Sequence, residues 1–322
     1  MSVLLTGGTG FVGLNIAEAL VDLGLEVVAL DRAPAPAAAL ARLGAAYTAV
    51  DGDVGDVMLL DRLFAAHGID RVVHAAAVTA GPARERGDPA GIVAVNLGGT
   101  LAVLEAARRH GVKRLIYTSS STVYGENSYE DDWLDEGRTL PVPESLYGNT
   151  KYAAERTALR YRTLHGLDIL AVRLSAVFGP WERDTGVRDT LSPMLQATLA
   201  ARRGAAAVLQ REGPRDWVYA RDVARAVATL LTMPTPPAQA LYNVGPGTVW
   251  SVADWCRKLA QRYPGFRWRV GEPFTVDLHG PRDRSPLAVA RLVADTDWRP
   301  AFGLDAAFEH YLDWLDDTED MS

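Results

Sequence analysis

Short apolar runs rich in Val, Leu and Ile alternate along the first half of the chain with longer stretches in which apolar positions recur every three or four residues. The first pattern reads as strand and the second as amphipathic helix, and their alternation predicts a parallel sheet wrapped by helices. "VLLT" (3–6) precedes a helix from about Phe11, and "LEVVAL" (25–30) precedes an Ala/Pro run, "APAPAAAL", read as a solvated connection. Then come "YTAV" (47–50), a helix over 56–68, "RVVH" (71–74), a long helix after Pro89, "RLIYTS" (114–119), a helix carrying Lys151, and "DILAVR" (168–173). Six strands separated by crossovers make an α/β, doubly wound sheet the economical reading.

Beyond Arg173 the pattern loosens. Loops rich in Pro, Gly, Arg and Trp (179–190, 211–217, 264–286) interrupt helices near 191–203, 222–233, 251–262 and 304–316, and "LYNV" (241–244) reads as a strand returning to the sheet. The expected division is a sheet domain of residues 1–174 plus 216–248, with a smaller interleaved C-terminal substrate lobe of 175–215 plus 249–322.

Composition narrows the function classes. The 322 residues are 48% hydrophobic with a formal charge of −7, which argues against a nucleic-acid footprint and requires local arginines for any anionic ligand. No run reaches the roughly 18 unbroken apolar residues of a membrane span, and the apolar start lacks a basic flank, so a cytoplasmic protein without a membrane partner is expected. The single Cys256 reads as a small helix residue, and the scattered His67, His74, His110, His165, His279 and His310 suggest no metal site.

"TGGTGFVG" follows the first strand directly, spacing Gly7, Gly10 and Gly13 so that the chain turns tightly and backbone N–H groups of the Phe11–Val12 turn approach a pyrophosphate. The next strand ends in Asp31, 18 residues after Gly13, where a carboxylate would accept hydrogen bonds from the adenosine ribose. A 2′-phosphate would be repelled there, so NAD is expected over NADP, with Arg32 next door working against that preference. Asp53 and Val54 at the tip of the third strand, and Ala75, Ala76 and Ala77 in "HAAAVTA", suit an adenine and ribose groove; a turn cap and ordinary packing are the alternatives.

In "SLYGNTKYAAE" (145–155), Tyr147 and Lys151 stand four apart at the start of a helix. A free tyrosine titrates near 10, too high for a neutral-pH base, and a neighbouring ammonium together with an oxidised nicotinamide would lower it. "YTSSSTVYG" (117–125) puts hydroxyls at a strand's carboxyl edge, where Ser120 can share a substrate oxygen with Tyr147.

Taken together, "TGGTGFVG", Asp31, "GDV" (52–54), "HAAA" (74–77), "DPAGIVAVNLGGT" (88–100), "SSSTVYG" (119–125), "YGNTK" (147–151), "GPRDWVYARDVARA" (213–226) and "LYNVG" (241–245) resemble an extended short-chain dehydrogenase/reductase of the NAD-dependent epimerase/dehydratase family. In its motifs the chain is most similar to UDP-glucose 4-epimerases. The resemblance implies a Rossmann-type fold, NAD as cofactor, Tyr147 as catalytic base, Lys151 as its pKa partner and ligand of the nicotinamide ribose, and Ser120 as the hydroxyl positioning substrate. It implies that Asn96 supports the cofactor site from behind, and that Thr79, Ser121 and Thr122 line the sugar.

Two departures bear on the reaction. Dehydratases of the family carry an acid pair after the Ser120 position, where this chain has Ser121 and Thr122, so dehydration is disfavoured. Nucleotide-sugar enzymes of the family bind the diphosphate through an Asn where this chain has Ala176, while Arg215 keeps a diphosphate arginine and Arg282 or Arg284 can supply another. The expected function is nucleotide-sugar (UDP-sugar) 4-epimerase chemistry through a keto intermediate. The alternatives are net dehydrogenation of a free sugar or sugar acid and a non-catalytic NAD-binding scaffold. The resemblance also implies a homodimer through helices 89–110 and 148–165, with Ala153, Ala154, Ala158 and Tyr161 as an apolar stripe.

Overall fold

A computed structural model of the chain describes residues 1–186 and 188–319. Its centre is a seven-stranded, wholly parallel sheet built from β1 (Ser2–Thr6), β2 (Glu26–Asp31), β3 (Tyr47–Asp51), β4 (Ile69–His74), β5 (Arg114–Ser120), β6 (Ile169–Leu174) and the later β11 (Leu241–Val244). The order across the sheet is β11-β6-β5-β4-β1-β2-β3, so the direction of winding reverses between β1 and β4. Both expected features, the doubly wound sheet and the returning "LYNV" strand, are present.

Strand residues alternate between two cores because a parallel sheet is covered on both faces. Val3, Leu5, Ala29 and Val73 pack into one, against α1 (Phe11–Asp22) and α9 (Ala220–Thr232). Leu4, Val28, Val72 and Leu115 pack into the other, against α3 (Val57–His67), α6 (Thr100–Arg109) and α7 (Leu146–His165).

The Ala/Pro run is a correction. Ala37–Leu43 forms a helix, α2, behind Pro36, and buries Ala39 and Leu43. Pro34 and Pro36 hold the chain extended only up to the N-cap, after which "AAALARL" consists of good helix formers.

Between β4 and β5 lie α4 (Pro82–Gly87), α5 (Pro89–Val93) and a π-helical turn, Ala94–Gly99, leading into α6. Pro89–Arg109 is, among the described residues, the one helical stretch long and apolar enough to cross a membrane, and here it packs on α3 and α7. The expected dimer stripe is also corrected, since Ala154 and Ala158 are fully buried on the sheet side of α7 and Tyr161 donates to Glu105 at 2.5 Å.

Past β6 the chain forms three two-stranded ribbons: β7 (Val177–Phe178) with β10 (Val218–Tyr219), β8 (Ala207–Leu209) with β13 (Trp268–Val270), and β9 (Pro214–Arg215) with β12 (Trp250–Ser251). The short strands inside 211–217 and 264–286 replace part of what reads as loop. β8 packs on α8 (Pro193–Arg202) and β12 on α10 (Val252–Arg262), which also meets α8 and α12 (Leu304–Glu319), while α11 (Ala290–Asp295) packs on β11. An aromatic cluster joins them, Phe178 meeting the rings of Trp250 and Trp255 edge-on at 5.5 and 5.4 Å. Cys256 is fully buried within it, and burial pushes the thiol up to about 12.

Candidate active site

A cavity of about 470 Å³ opens at the carboxyl ends of β1, β4 and β5, beside the reversal of winding where ligands sit in such sheets. The loop from β1 to α1 forms one end. Gly7 has φ 70°, and a Cβ there would lie 2.7 Å from the Ala76 amide nitrogen; a Cβ on Gly13 would lie 2.0 Å from the Gly7 carbonyl oxygen. No side chain fits either position, and the backbone thereby opens onto the cavity together with Gly10, Phe11 and Val12. A loop so shaped at a helix N-terminus can hold a dinucleotide pyrophosphate.

Asp31 closes the adenosine side. Its carboxylate accepts the Thr9 and Ala33 N–H groups at 3.2 and 3.3 Å, leaving lone pairs toward the cavity it lines. Arg32 and Asp53 line the same end and stand 3.7 Å apart as an exposed ion pair, while Asp53 also accepts the Gly55 N–H at 2.7 Å, so its turn-capping and groove-lining readings coexist. Val54, Ala75, Ala76, Ala77 and Thr79 complete the wall.

The catalytic candidates converge where β5 meets α7. Ser145 caps α7, accepting the Gly148 N–H at 3.0 Å, and Glu85 accepts the Leu146 N–H at 2.8 Å. Tyr147 therefore sits in the first turn and Lys151 one turn deeper. Ser120 and Thr79 neighbour the Tyr147 hydroxyl; burial raises its pKa, while those two side chains and the Arg188 charge oppose the rise. Lys151 is 3% exposed, donates to the Thr118 carbonyl, and is pulled down to about 7 by burial, with Glu155 opposing. Thr122 donates to the Ser120 hydroxyl at 3.0 Å, while Ser121 is buried beside it.

Asn96 stands behind the wall, in the π-helical turn, where such irregularities often mark function. Its amide accepts the Val78 N–H at 2.8 Å and donates to the Val78 carbonyl and the Thr150 hydroxyl, both at 3.1 Å, tying the cavity floor to α7. His74 is a second support. Thr100 gives its hydroxyl proton to the Asn96 carbonyl, so it accepts from His74 Nε2–H, leaving Nδ1 to accept from Thr6 at 2.6 Å.

The opposite end of the cavity is cationic. Arg215 is 7% exposed, its Nε has no hydrogen-bond partner, and among the described residues no carboxylate pairs with it. Asp283 is taken by Arg211 and Asp216 by Arg284; burial and then Arg284 pull Arg215 down to about 10. Ala176 lines the wall nearby. Of the two further arginines, Arg284 lines the cavity and donates to Ser175 at 2.7 Å, whereas Arg282 is exposed and stacks 3.8 Å from the Tyr129 ring centroid. The cavity thus corrects Arg282 to Arg284 as the arginine it brings to the site.

Arg183, Arg188 and His279 are among the lining residues that carry no sequence motif. They lie in the irregular loops 179–190 and 264–286, whose composition announces turns but not direction. His279, with φ 60°, bonds the Leu191 carbonyl at 3.1 Å and is held neutral, down to about 4, by burial and the Arg188 charge.

Comparison with known proteins assigns the family. The profile of the NAD dependent epimerase/dehydratase family matches residues 3–245. A dTDP-glucose 4,6-dehydratase of Streptomyces antibioticus is 30% identical over 99% of this chain and 93% of its own length. A UDP-glucose 4-epimerase of Yersinia pestis is 31% identical over 78% of this chain and 80% of its own. Among solved structures, MoeE5 in complex with UDP-glucuronic acid and NAD superimposes with a TM-score of 0.81 at 28% identity, covering 99% of this chain and 100% of that one. With the family profile matched over residues 3–245, the chain belongs to the NAD-dependent epimerase/dehydratase family of extended short-chain dehydrogenase/reductases, and its cofactor is NAD.

Proposed function

We propose that the chain is a nucleotide-sugar epimerase of the 4-epimerase type, with Tyr147 as proton acceptor. The observation that carries this reading is Arg215: three arginines, Arg211, Arg215 and Arg284, share the two carboxylates Asp216 and Asp283, so the buried Arg215 guanidinium is under-compensated unless a ligand brings an anion, and it faces the cavity end remote from the cofactor cradle. A diphosphate linkage fits between Arg215 and Arg284, leaving the sugar at Ser120 and Tyr147. MoeE5 holds UDP-glucuronic acid and NAD in the same fold, which supports a UDP-sugar here.

In this reading Ser120 and Thr79 hold the sugar hydroxyl against Tyr147, whose phenolate takes the proton while Lys151 stabilises the negative oxygen. Bound NAD supplies the two-electron acceptor for the carbon bearing that hydroxyl. Return of the two electrons to the other face of the turned ketone, with the proton given back by Tyr147, would complete an inversion with no net redox change.

Dehydratases stand among the relatives, but the positions beside Ser120 hold the hydroxyls of Ser121 and Thr122 and no carboxylic acid to protonate a departing hydroxyl. A second reading, net dehydrogenation of a free sugar or sugar acid, is favoured by Ala176, which offers no donor to a diphosphate. A homodimer through the outer faces of α6 and α7 is supported by Leu101 and Leu164, exposed at 44% and 56%.

Incubation with NAD and a panel of UDP-sugars, dTDP-sugars, aldoses and sugar acids, following NADH absorbance and sugar NMR together, tests the proposal. A new epimer without accumulating NADH supports it; stoichiometric NADH from an underivatised sugar or sugar acid replaces it with the second reading.

A further inference from the structure

Segment 180–186, with Arg188 just beyond it, runs along the phosphate loop and is fastened to it at three points. Asn15 of α1 donates to the Pro180 carbonyl at 2.8 Å, Arg183 Nη2 donates to the Thr9 carbonyl at 2.8 Å, and the Arg188 guanidinium lies 5.3 Å from the Phe11 ring centroid. Glu182, buried between them, accepts from Ser192 and pairs with Arg188 at 2.9 Å, which fixes the direction of Arg188. Arg188 and Arg183 both line the cavity, Arg183 beside Asp31.

Arg183 satisfies less of its donor capacity than its position allows. Only the bond to Thr9 ties it to the phosphate loop, and its Nη1 is buried with no hydrogen-bond partner. Asp31 and Tyr47 are the charged and ionisable groups facing it, with the Tyr47 hydroxyl committed to the Gly8 carbonyl at 3.0 Å. A half-buried cation with an unmet donor, placed against a loop shaped for a phosphate and a carboxylate shaped for a ribose, is completed by a ligand that presents anionic or hydroxyl oxygens there.

We propose that Arg183 is a cofactor-binding residue that clamps the adenylate half of NAD from the substrate side, making segment 180–186 the outer jaw of a grip whose inner jaw is the glycine loop. The clamp is independent of which sugar the enzyme takes. It holds a residue from beyond β6 against the cofactor, so that the dinucleotide is gripped by both parts of the chain.

The test separates the two halves of the cofactor. Protein freed of bound nucleotide is titrated with 5′-AMP and with nicotinamide mononucleotide, each by competition against NADH fluorescence, for wild type, Arg183→Gln and Arg183→Ala. Gln keeps a donor for the Thr9 carbonyl but not the charge. AMP affinity is expected to fall roughly tenfold in both variants and nicotinamide mononucleotide affinity to stay within about twofold, the charge-assisted bond being the one lost. An unchanged AMP affinity in either variant, or equal losses for the two half-ligands, would mean that Arg183 only staples the loop and would overturn the proposal.

Discussion

Lys151 donates to the main-chain carbonyl of Thr118, and its Nζ lies 4.5 Å from the Tyr117 ring centroid, so one ammonium is held by the last residues of β5 and by the face of an aromatic ring. Both anchors come from the strand that also carries Ser120, which is why the relative placement of hydroxyl, phenol and ammonium is rigid. Burial takes Lys151 down to about 7 and Tyr147 up, so in the ligand-free protein the Tyr147 phenol keeps its proton at neutral pH. Tyr147 would shift toward the phenolate beside the positive charge that an oxidised nicotinamide supplies when bound.

Replacing Lys151 by Met removes the ammonium and a donor. Turnover is expected to drop about a hundredfold or more, and the rising limb of the pH–rate profile to move to higher pH, since Tyr147 loses its cation. An unshifted pH profile would show that Lys151 only packs.

Arg215→Met is expected to act in opposite directions on stability and binding. Loss of an under-compensated buried charge should stabilise the ligand-free protein, by about 1 to 3 kcal/mol, while affinity for UDP falls at least tenfold. Thermal melts with and without UDP give both numbers; a destabilised ligand-free variant would mean that the guanidinium is already satisfied.

Acid should destabilise the protein through the buried His74 and the half-buried His279. His74 and His279 titrate near 3 and 4 in the fold, below their ordinary 6.5, so the unfolded chain takes up protons the fold refuses. Their contribution is complete above 6.5 and is lost as the pH falls toward 4, each histidine costing about 1.4 kcal/mol per pH unit. Urea midpoints at pH 7 and pH 5 measure this; equal stabilities would contradict neutral burial.

Asp31→Ala is expected to weaken NAD more than NADP, because the carboxylate receives the ribose hydroxyls and repels a 2′-phosphate. Parallel titrations of the two cofactors decide it, and an unchanged ratio would assign the selectivity elsewhere.

What could be read from sequence follows from locality. The glycine loop, Asp31, Tyr147 and Lys151 are spaced by a turn, a strand and a helical turn, so their geometry is set by short-range rules. Asn96 is buried behind the wall because a π-helical turn rotates it there, and no spacing announces that turn. Arg183, Arg188 and Arg284 are aimed by ion pairs and carbonyls, Glu182, Thr9 and Asp216 among them, that no local spacing rule connects to them. The helix in Ala37–Leu43 was hidden by the two prolines before it, and Ala154 and Ala158 face inward because α7 lies flat on the sheet.

The most direct test of the central claim is Tyr147→Phe, assayed for turnover on the best substrate and for NAD affinity in the same preparation. Turnover reduced by about a thousandfold, with NAD affinity within about threefold of wild type, is the predicted result, because the substitution removes the proton acceptor and leaves the cradle intact. Turnover near the wild-type rate would contradict the assignment of Tyr147 as the base.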